Sequence, residues 1–176
     1  MGLSVSELRA LHPDLKEQRP NLFSTAVPPS PHDAFEMYYL HSSSSTGLCN
    51  VIALGKTIAT NLFGEELKRA HKSLRETLIE KYGSPSKDFN FLRKGSLWTK
   101  PEDWMMGLHK GDRTVMVIWE KPTKNVKGVE WPNDLLAITL DADSNGTASG
   151  YVTLKYAFAN EPACHAENKK QSKNSL

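Results

Sequence analysis

The stretch FGEELKRAHKSLRETLIEKY, residues 63–82, decides the fold of this chain. Its apolar residues recur at spacings of three and four, which is the period of one face of an α-helix. That face consists of Phe63, Leu67, Ala70, Leu74, Leu78 and Tyr82. Thr60 or Asn61 can cap the start of the helix, and Gly83 followed by Pro85 ends it. The pattern predicts a long amphipathic helix over about residues 62–82, buried on one side.

The sequence on both sides of this helix favours strands. A capping-box spacing, Ser4 with Glu7, predicts a short helix at about residues 5–12, and the five prolines between residues 13 and 31 predict a loop. Runs with strand character follow at residues 35–41, 48–58, 104–108, 114–119, 135–142 and 150–158. In the first of them we expect Phe35, Met37 and Tyr39 to face the core.

Together these elements predict an α+β fold. We expect an antiparallel sheet of about five to six strands in hairpins, with the long helix packed on one face and a short N-terminal helix. At 176 residues the chain is of a size for one core. The prediction is a single domain over residues 1–166 and a disordered polar tail over 167–176, because the tail is almost devoid of apolar residues.

Charge and composition exclude several classes of function. The 22 Lys and Arg residues exceed the 20 Asp and Glu residues by two, too few for the basic surface that nucleic-acid binding requires. No apolar run is long enough to span a membrane, and the first residues lack the order of a signal peptide. We therefore expect no nucleic acid and no membrane span. The default location is the cytoplasm, or the periplasm or exterior if a signal peptide has been removed.

The two cysteines, Cys49 and Cys164, leave two alternatives open. They are a candidate disulfide in an oxidising compartment, or two buried thiols in a reducing one. If the last strand lies near the second, the two residues can meet.

One turn resembles a metal loop in part. Residues 141–146, DADSNG, match the first six positions of a calcium loop, where Asp141, Asp143 and Asn145 would supply oxygen ligands. Position twelve of such a loop is a glutamate, but here it is Val152, so a hairpin turn is favoured over a calcium site. The six histidines show no ligand spacing, and the sequence predicts no cofactor.

A Trp- and Met-rich segment is the remaining candidate for function. Such side chains are enriched where proteins contact partners, and they are also common in cores. We take Trp104, Met106 and Trp119 as the candidate ligand or partner contacts.

No arrangement of residues typical of catalysis is visible, so a non-enzymatic protein-interaction module, an inhibitor or accessory factor with a protein partner, is the leading hypothesis. The alternative is a small-ligand-binding protein whose pocket lies between the long helix and the sheet. The layout of a leading helix, a hairpin, a long helix ending in Tyr82-Gly83 and further hairpins resembles that of small exported bacterial α+β domains. This resemblance implies no site residues.

Overall fold

The computed structural model describes residues 2–123 and 129–174, with side chains described as far as residue 170. This part of the chain is α+β, with nine strands in one antiparallel sheet and four α-helices. The helices are α1 (Val5–Leu11), α2 (Glu65–Tyr82), α3 (Trp104–His109) and α4 (Glu161–Asn174). The strands are β1 (Lys16–Arg19), β2 (Leu22–Thr25), β3 (Phe35–Ser43), β4 (Gly47–Gly55), β5 (Ile58–Ala59), β6 (Lys87–Leu92), β7 (Arg113–Glu120), β8 (Leu135–Ser144) and β9 (Ser149–Phe158).

The sheet runs in the order β1-β2-β3-β4-β9-β8-β7-β6, and β5 pairs with β9. The predicted fold class is confirmed, while the predicted count of five to six strands is too low. Internal contacts divide the chain into two compact units, and three of the four boundaries fall within β4, β8 and β9. Unit 1 comprises residues 1–54, 132–137 and 155–176, and unit 2 comprises residues 55–131 and 138–154. A single domain over residues 1–166 stays a prediction.

In unit 1, helix α1 begins with the predicted capping box, since Ser4 and Glu7 bond each other's backbone amides. The segment predicted to be a loop contains β1 and β2. Pro20 and Asn21 form the two-residue turn between these strands, and Asn21 has a left-handed φ of 66°. Proline followed by a residue with positive φ is typical of a type II turn, so this proline lies between strands instead of preventing them.

In strand β3 only one of the three residues expected in the core, Phe35, is buried. Tyr38 and Leu40 are buried, whereas Met37 and Tyr39 are only half-buried. Both sides of this strand carry apolar side chains, and a period of two does not by itself reveal which side is inside.

Helix α4 replaces most of the tail that was predicted to be disordered. Its side chains are mainly polar, and polar contacts hold it in unit 1. The Asn160 amide donates to the carbonyl oxygens of Thr46 and Leu48 at 2.9 and 3.0 Å. The Glu167 carboxylate accepts hydrogen bonds from Ser44 and Ser45, and these bonds lower the pKa of Glu167 to about 2.

In unit 2, the long helix is confirmed as α2. The side chains of Thr60 and Asn61 accept hydrogen bonds from the amides of Glu66 and Glu65, each at 3.3 Å. The residue directly before the helix is Gly64, whose φ is 70°. A Cβ there would lie 2.2 Å from the Trp104 ring, so this position excludes any larger residue. The helix buries Leu67, Leu74, Leu78 and Tyr82 as expected, together with His71.

Residues 104–108, predicted to be a strand, are helical in α3. Residues Pro101–Asp103 form a turn of 3-10 helix that leads into it, and the Asp103 carboxylate accepts from the Lys100 amide at 3.2 Å. Trp104, Met105 and Leu108 are buried at helical spacing. A short apolar run does not distinguish strand from helix by its period.

Candidate functional site

Strand β6 is at the end of the sheet order in unit 2. Six consecutive pairs join it to β7, from Lys87 opposite Ile118 to Leu92 opposite Arg113. No other strand in the described part of the chain pairs with β6, so one of its edges is free. The sequence analysis missed this strand because its serine- and lysine-rich flanks resemble a connection. The alternation of Asp88 and Asn90 with Phe89 and Phe91 was the available signal.

The backbone groups on this free edge follow from the register. The Arg93 amide donates to the Asp112 carbonyl oxygen at 2.7 Å. In an antiparallel pair, alternate residues direct both their N–H and C=O groups toward the neighbouring strand. Counting back from Arg93, the backbone groups of Asp88, Asn90 and Leu92 point away from β7. These are the groups through which another strand can be added.

On the outer side of the sheet, away from α2, two phenylalanines lie beside this edge. Phe91 is 51 % exposed, and its ring centroid is 6.4 Å from that of half-buried Phe89 in an edge-to-face pair. Phe89 lies opposite Met116, while Ile118 lies opposite Lys87 on the same side. We call the free edge of β6 with the side chains of Phe89, Phe91, Met116 and Ile118 the β6 surface.

The inner side of β6 is anchored. On this side, Arg75 of α2 forms an ion pair of 2.7 Å with Asp88. On the outer side, Lys87 forms an ion pair of 2.7 Å with Glu120. Trp119 on neighbouring β7 is 1 % exposed, and its indole nitrogen donates to the Gly83 carbonyl oxygen at 2.9 Å. These contacts within the chain therefore hold β6 in position without a bound partner.

Protection of the edge against pairing is weak. Edge strands in proteins are commonly protected by charges, prolines or bulges. In β6 the two charged residues, Lys87 and Asp88, stand at the first two positions and already have partners, and the sequence Phe89–Leu92 that follows is uncharged. This strand is accordingly a template for pairing.

The candidate contacts Trp104, Met106 and Trp119 lie on two different elements. Trp104 is buried in α3, with Lys68 Nζ 4.4 Å and Arg113 Cζ 5.6 Å from its ring centroid. Burial, and secondarily the charge of Arg113, lowers the pKa of Lys68. Met106 is half-buried in α3, and Trp119 is in the core. None of them lines the clefts of about 360 and 400 Å³ in unit 2. Their role as contacts stays a prediction.

The residues of the candidate calcium turn lie in β8 and just after it. Asp141 and Asp143 are part of the extended strand, and Asp143 accepts a hydrogen bond from the Tyr151 hydroxyl at 3.3 Å. The side-chain Nδ2 of Asn145 donates to the Thr57 hydroxyl. Within residues 2–123 and 129–170, no group of three or more His, Cys, Asp or Glu side chains is placed to hold a metal ion. A calcium site at this turn stays a prediction.

Cys49 of β4 and Cys164 of α4 are joined as a disulfide in unit 1. Cys164 lies on a helix that follows the last strand, β9. Beside the disulfide, the Glu161 carboxylate is contacted by Lys155 Nζ at 2.6 Å, Asn50 Nδ2 at 3.0 Å and His165 Nε2 at 3.3 Å. Burial opposes ionisation of Glu161, but Lys155 and then His165 outweigh it and lower its pKa. This carboxylate is already paired, so we assign it to anchoring α4.

In the described part of the chain, no helix is both long and apolar enough to cross a membrane. Comparison with protein-family models, curated proteins and solved structures found no match to this chain.

Proposed function

We propose that this protein is a non-enzymatic protein-interaction module, an inhibitor or accessory factor, that binds an extended segment of a partner protein along β6. The observation that carries the proposal is the free edge of a strand that is uncharged over Phe89–Leu92 and anchored from its inner side. A segment added there would bond the outward backbone groups of Asp88, Asn90 and Leu92. Its alternate side chains would lie beside Phe89 and Phe91 on the outer side of the sheet.

The geometry also indicates the chemistry of the segment. Aromatic side chains pair well across strands with β-branched and other aromatic residues, each pair contributing about 0.2–1 kcal/mol. The partner segment is therefore expected to carry apolar residues at alternate positions and no proline where it bonds β6. A contact of one short strand is smaller than a standard interface of about 1,600 Å². We expect a reversible complex.

Peptides selected from a random library on the immobilised protein test this proposal. Asn90→Pro removes an outward amide that β7 does not use, and proline is tolerated at such edge positions. Binding of the selected peptides should weaken about tenfold or more in Asn90→Pro, because the edge bonds are lost, and remain unchanged in the matched control Asn90→Ala. In the wild type, bound peptide should slow hydrogen exchange at the amides of residues 88, 90 and 92.

Phe91→Ser is a second variant and should also weaken binding of the selected peptides. The half-exposed Phe91 ring is expected to contact the partner without supporting the core. Selected peptides that bind wild type and Asn90→Pro equally, with no exchange protection in β6, would contradict the proposal. Self-association that Asn90→Pro abolishes would instead make a second copy of this chain the occupant of the edge.

A further inference from the structure

The loop between β8 and β9 in unit 2 contains an asparagine followed by a glycine, and the interaction along β6 does not use it. The loop consists of residues 145–148, between Ser144 at the end of β8 and Ser149 at the start of β9. Asn145 is exposed and Gly146 is half-buried. No other asparagine in the sequence is followed by glycine. Asparagine is one of the thermolabile residue types of proteins, so its surroundings in this loop bear on its chemical stability.

The hydrogen bonds of the loop leave the reactive groups of this pair weakly held. The Asn145 backbone amide closes the loop by donating to the Ser149 carbonyl oxygen at 3.1 Å. The Gly146 amide donates to the Ser144 hydroxyl at 3.1 Å, and the Asn145 side-chain Nδ2 donates to the Thr57 hydroxyl at 3.3 Å. A single hydrogen bond contributes about 0.5–1.5 kcal/mol net, so thermal motion releases both groups frequently.

Neither the backbone nor the packing requires a glycine at position 146. Gly146 does not have a positive φ. Apart from its chain neighbours, no heavy atom of the described residues lies within 4 Å of where a Cβ would be. What the missing Cβ does provide is open space beside the Gly146 nitrogen, into which the Asn145 side chain can turn.

We propose that Asn145 is a modification site that deamidates spontaneously to aspartate and isoaspartate. The Gly146 backbone nitrogen attacks Cγ of Asn145, and a nitrogen–carbon bond forms as the Gly146 amide proton passes to solvent. The side-chain nitrogen takes up a proton from water and leaves as ammonia. The product is a five-membered succinimide ring, and its formation needs no oxidant or reductant.

One water molecule then opens the ring. Cleavage of the bond between the Gly146 nitrogen and Cγ gives aspartate. Cleavage of the bond between the same nitrogen and the backbone carbonyl carbon of residue 145 gives isoaspartate, whose main chain is one carbon longer. Either product lowers the formal net charge of +2 by one. Since the new carboxylate has no N–H group, the loop also loses its hydrogen bond to Thr57.

The test incubates the full chain in buffer and follows each asparagine by peptide mass spectrometry, with chromatography to separate aspartate from isoaspartate. Residue 145 should convert first. Asn61 and Asn90 are also exposed but precede Leu62 and Phe91, so they are internal controls that should stay intact. Conversion of residue 145 should be faster at pH 8 than at pH 6, because the attacking nitrogen must lose its proton.

Gly146→Ala is the matched variant. Its methyl group crowds the attacking nitrogen, while the open surroundings and the φ of this position leave the fold unchanged, which circular dichroism checks. Conversion of residue 145 should fall about tenfold or more in this variant.

Three results would overturn the proposal. One is an unchanged rate of conversion in Gly146→Ala, and another is conversion of Asn61 as fast as that of residue 145. The third is conversion in the urea-unfolded chain without conversion in the folded one, because the folded loop would then protect Asn145. Conversion only after addition of a cell extract would also overturn it, because an enzyme would then be required.

Discussion

At the scale of single residues, His71 departs most clearly from an apolar core. It lies on the buried face of α2, where the sequence pattern had placed Ala70, and it is 7 % exposed. Its Nε2 has no hydrogen-bond partner among the described residues. Burial lowers the pKa of His71, while the Leu140 carbonyl and the charge of Asp88 oppose that shift and Arg75 adds to it. The imidazole is therefore favoured in its neutral form.

This burial predicts a pH-dependent stability. The unfolded chain binds a proton at His71 more readily than the folded one, so stability is unaffected well above the unfolded pKa of about 6.5 and falls as the pH drops below it. Urea unfolding at pH 7.5 and 5.5 should show a lower midpoint at pH 5.5. The change should be smaller in His71→Asn, which retains a donor for the Leu140 carbonyl. The exposed His109→Asn is the control, and equal pH dependence in His71→Asn and wild type would refute the assignment.

At the scale of elements, α4 is joined to unit 1 mainly by polar groups and one covalent bond. Cys164 is 1 % exposed, whereas most of the other described side chains of the helix are not buried. The contribution of Glu167 is fully present above its unfolded pKa of about 4.5 and is lost progressively as the pH falls from there through about 2. The disulfide closes a loop of 115 residues, and such cross-links typically stabilise proteins by about 2–4 kcal/mol.

Removing this bond should release α4 before the rest of the chain. In the double variant Cys49→Ala with Cys164→Ala, trypsin should cleave after Lys169 and Lys170 faster than in the wild type, because the helix loses its buried anchor. Mass spectrometry of the early fragments measures this. The single variant Lys155→Met, which removes one ion pair of Glu161, is the comparison and should have a smaller effect. Unchanged cleavage in the double variant would mean that the polar contacts alone hold the helix.

At the scale of the whole molecule, the oxidation state of the two cysteines bears on the compartment in which the protein is located. The described residues contain no free cysteine, and the sequence contains two cysteines in all. Mass measurement after alkylation should therefore find no labelled thiol in protein kept under its native redox conditions, and two after reduction. Two labelled thiols without reduction would exclude the disulfide in that compartment. Disulfides persist in oxidising compartments, so the measurement also distinguishes a cytoplasmic from an exported location.

Local signals were sufficient for α1, α2 and the four longest strands. The capping box Ser4–Glu7, the repeating face from Leu67 to Tyr82 and the alternation in β9 each depend on neighbouring residues alone. The missed elements depended on distant partners. Strand β6 is ordered by pairing with β7, and α4 by groups more than 100 residues away, such as Cys49 and Ser44. No short window of the sequence contains both halves of these contacts, although the alternation over residues 88–91 was a local signal for β6.

The sequence by itself determined the fold class, the long helix and the near-balanced net charge, because period, caps and composition are properties of the chain itself. Only the tertiary structure decided which edge of the sheet is free, which face of β3 is inside and which histidine nitrogen is buried without a partner. These features depend on how strands that are distant in the sequence pair. The β6 surface, on which the proposed function rests, arises from that pairing.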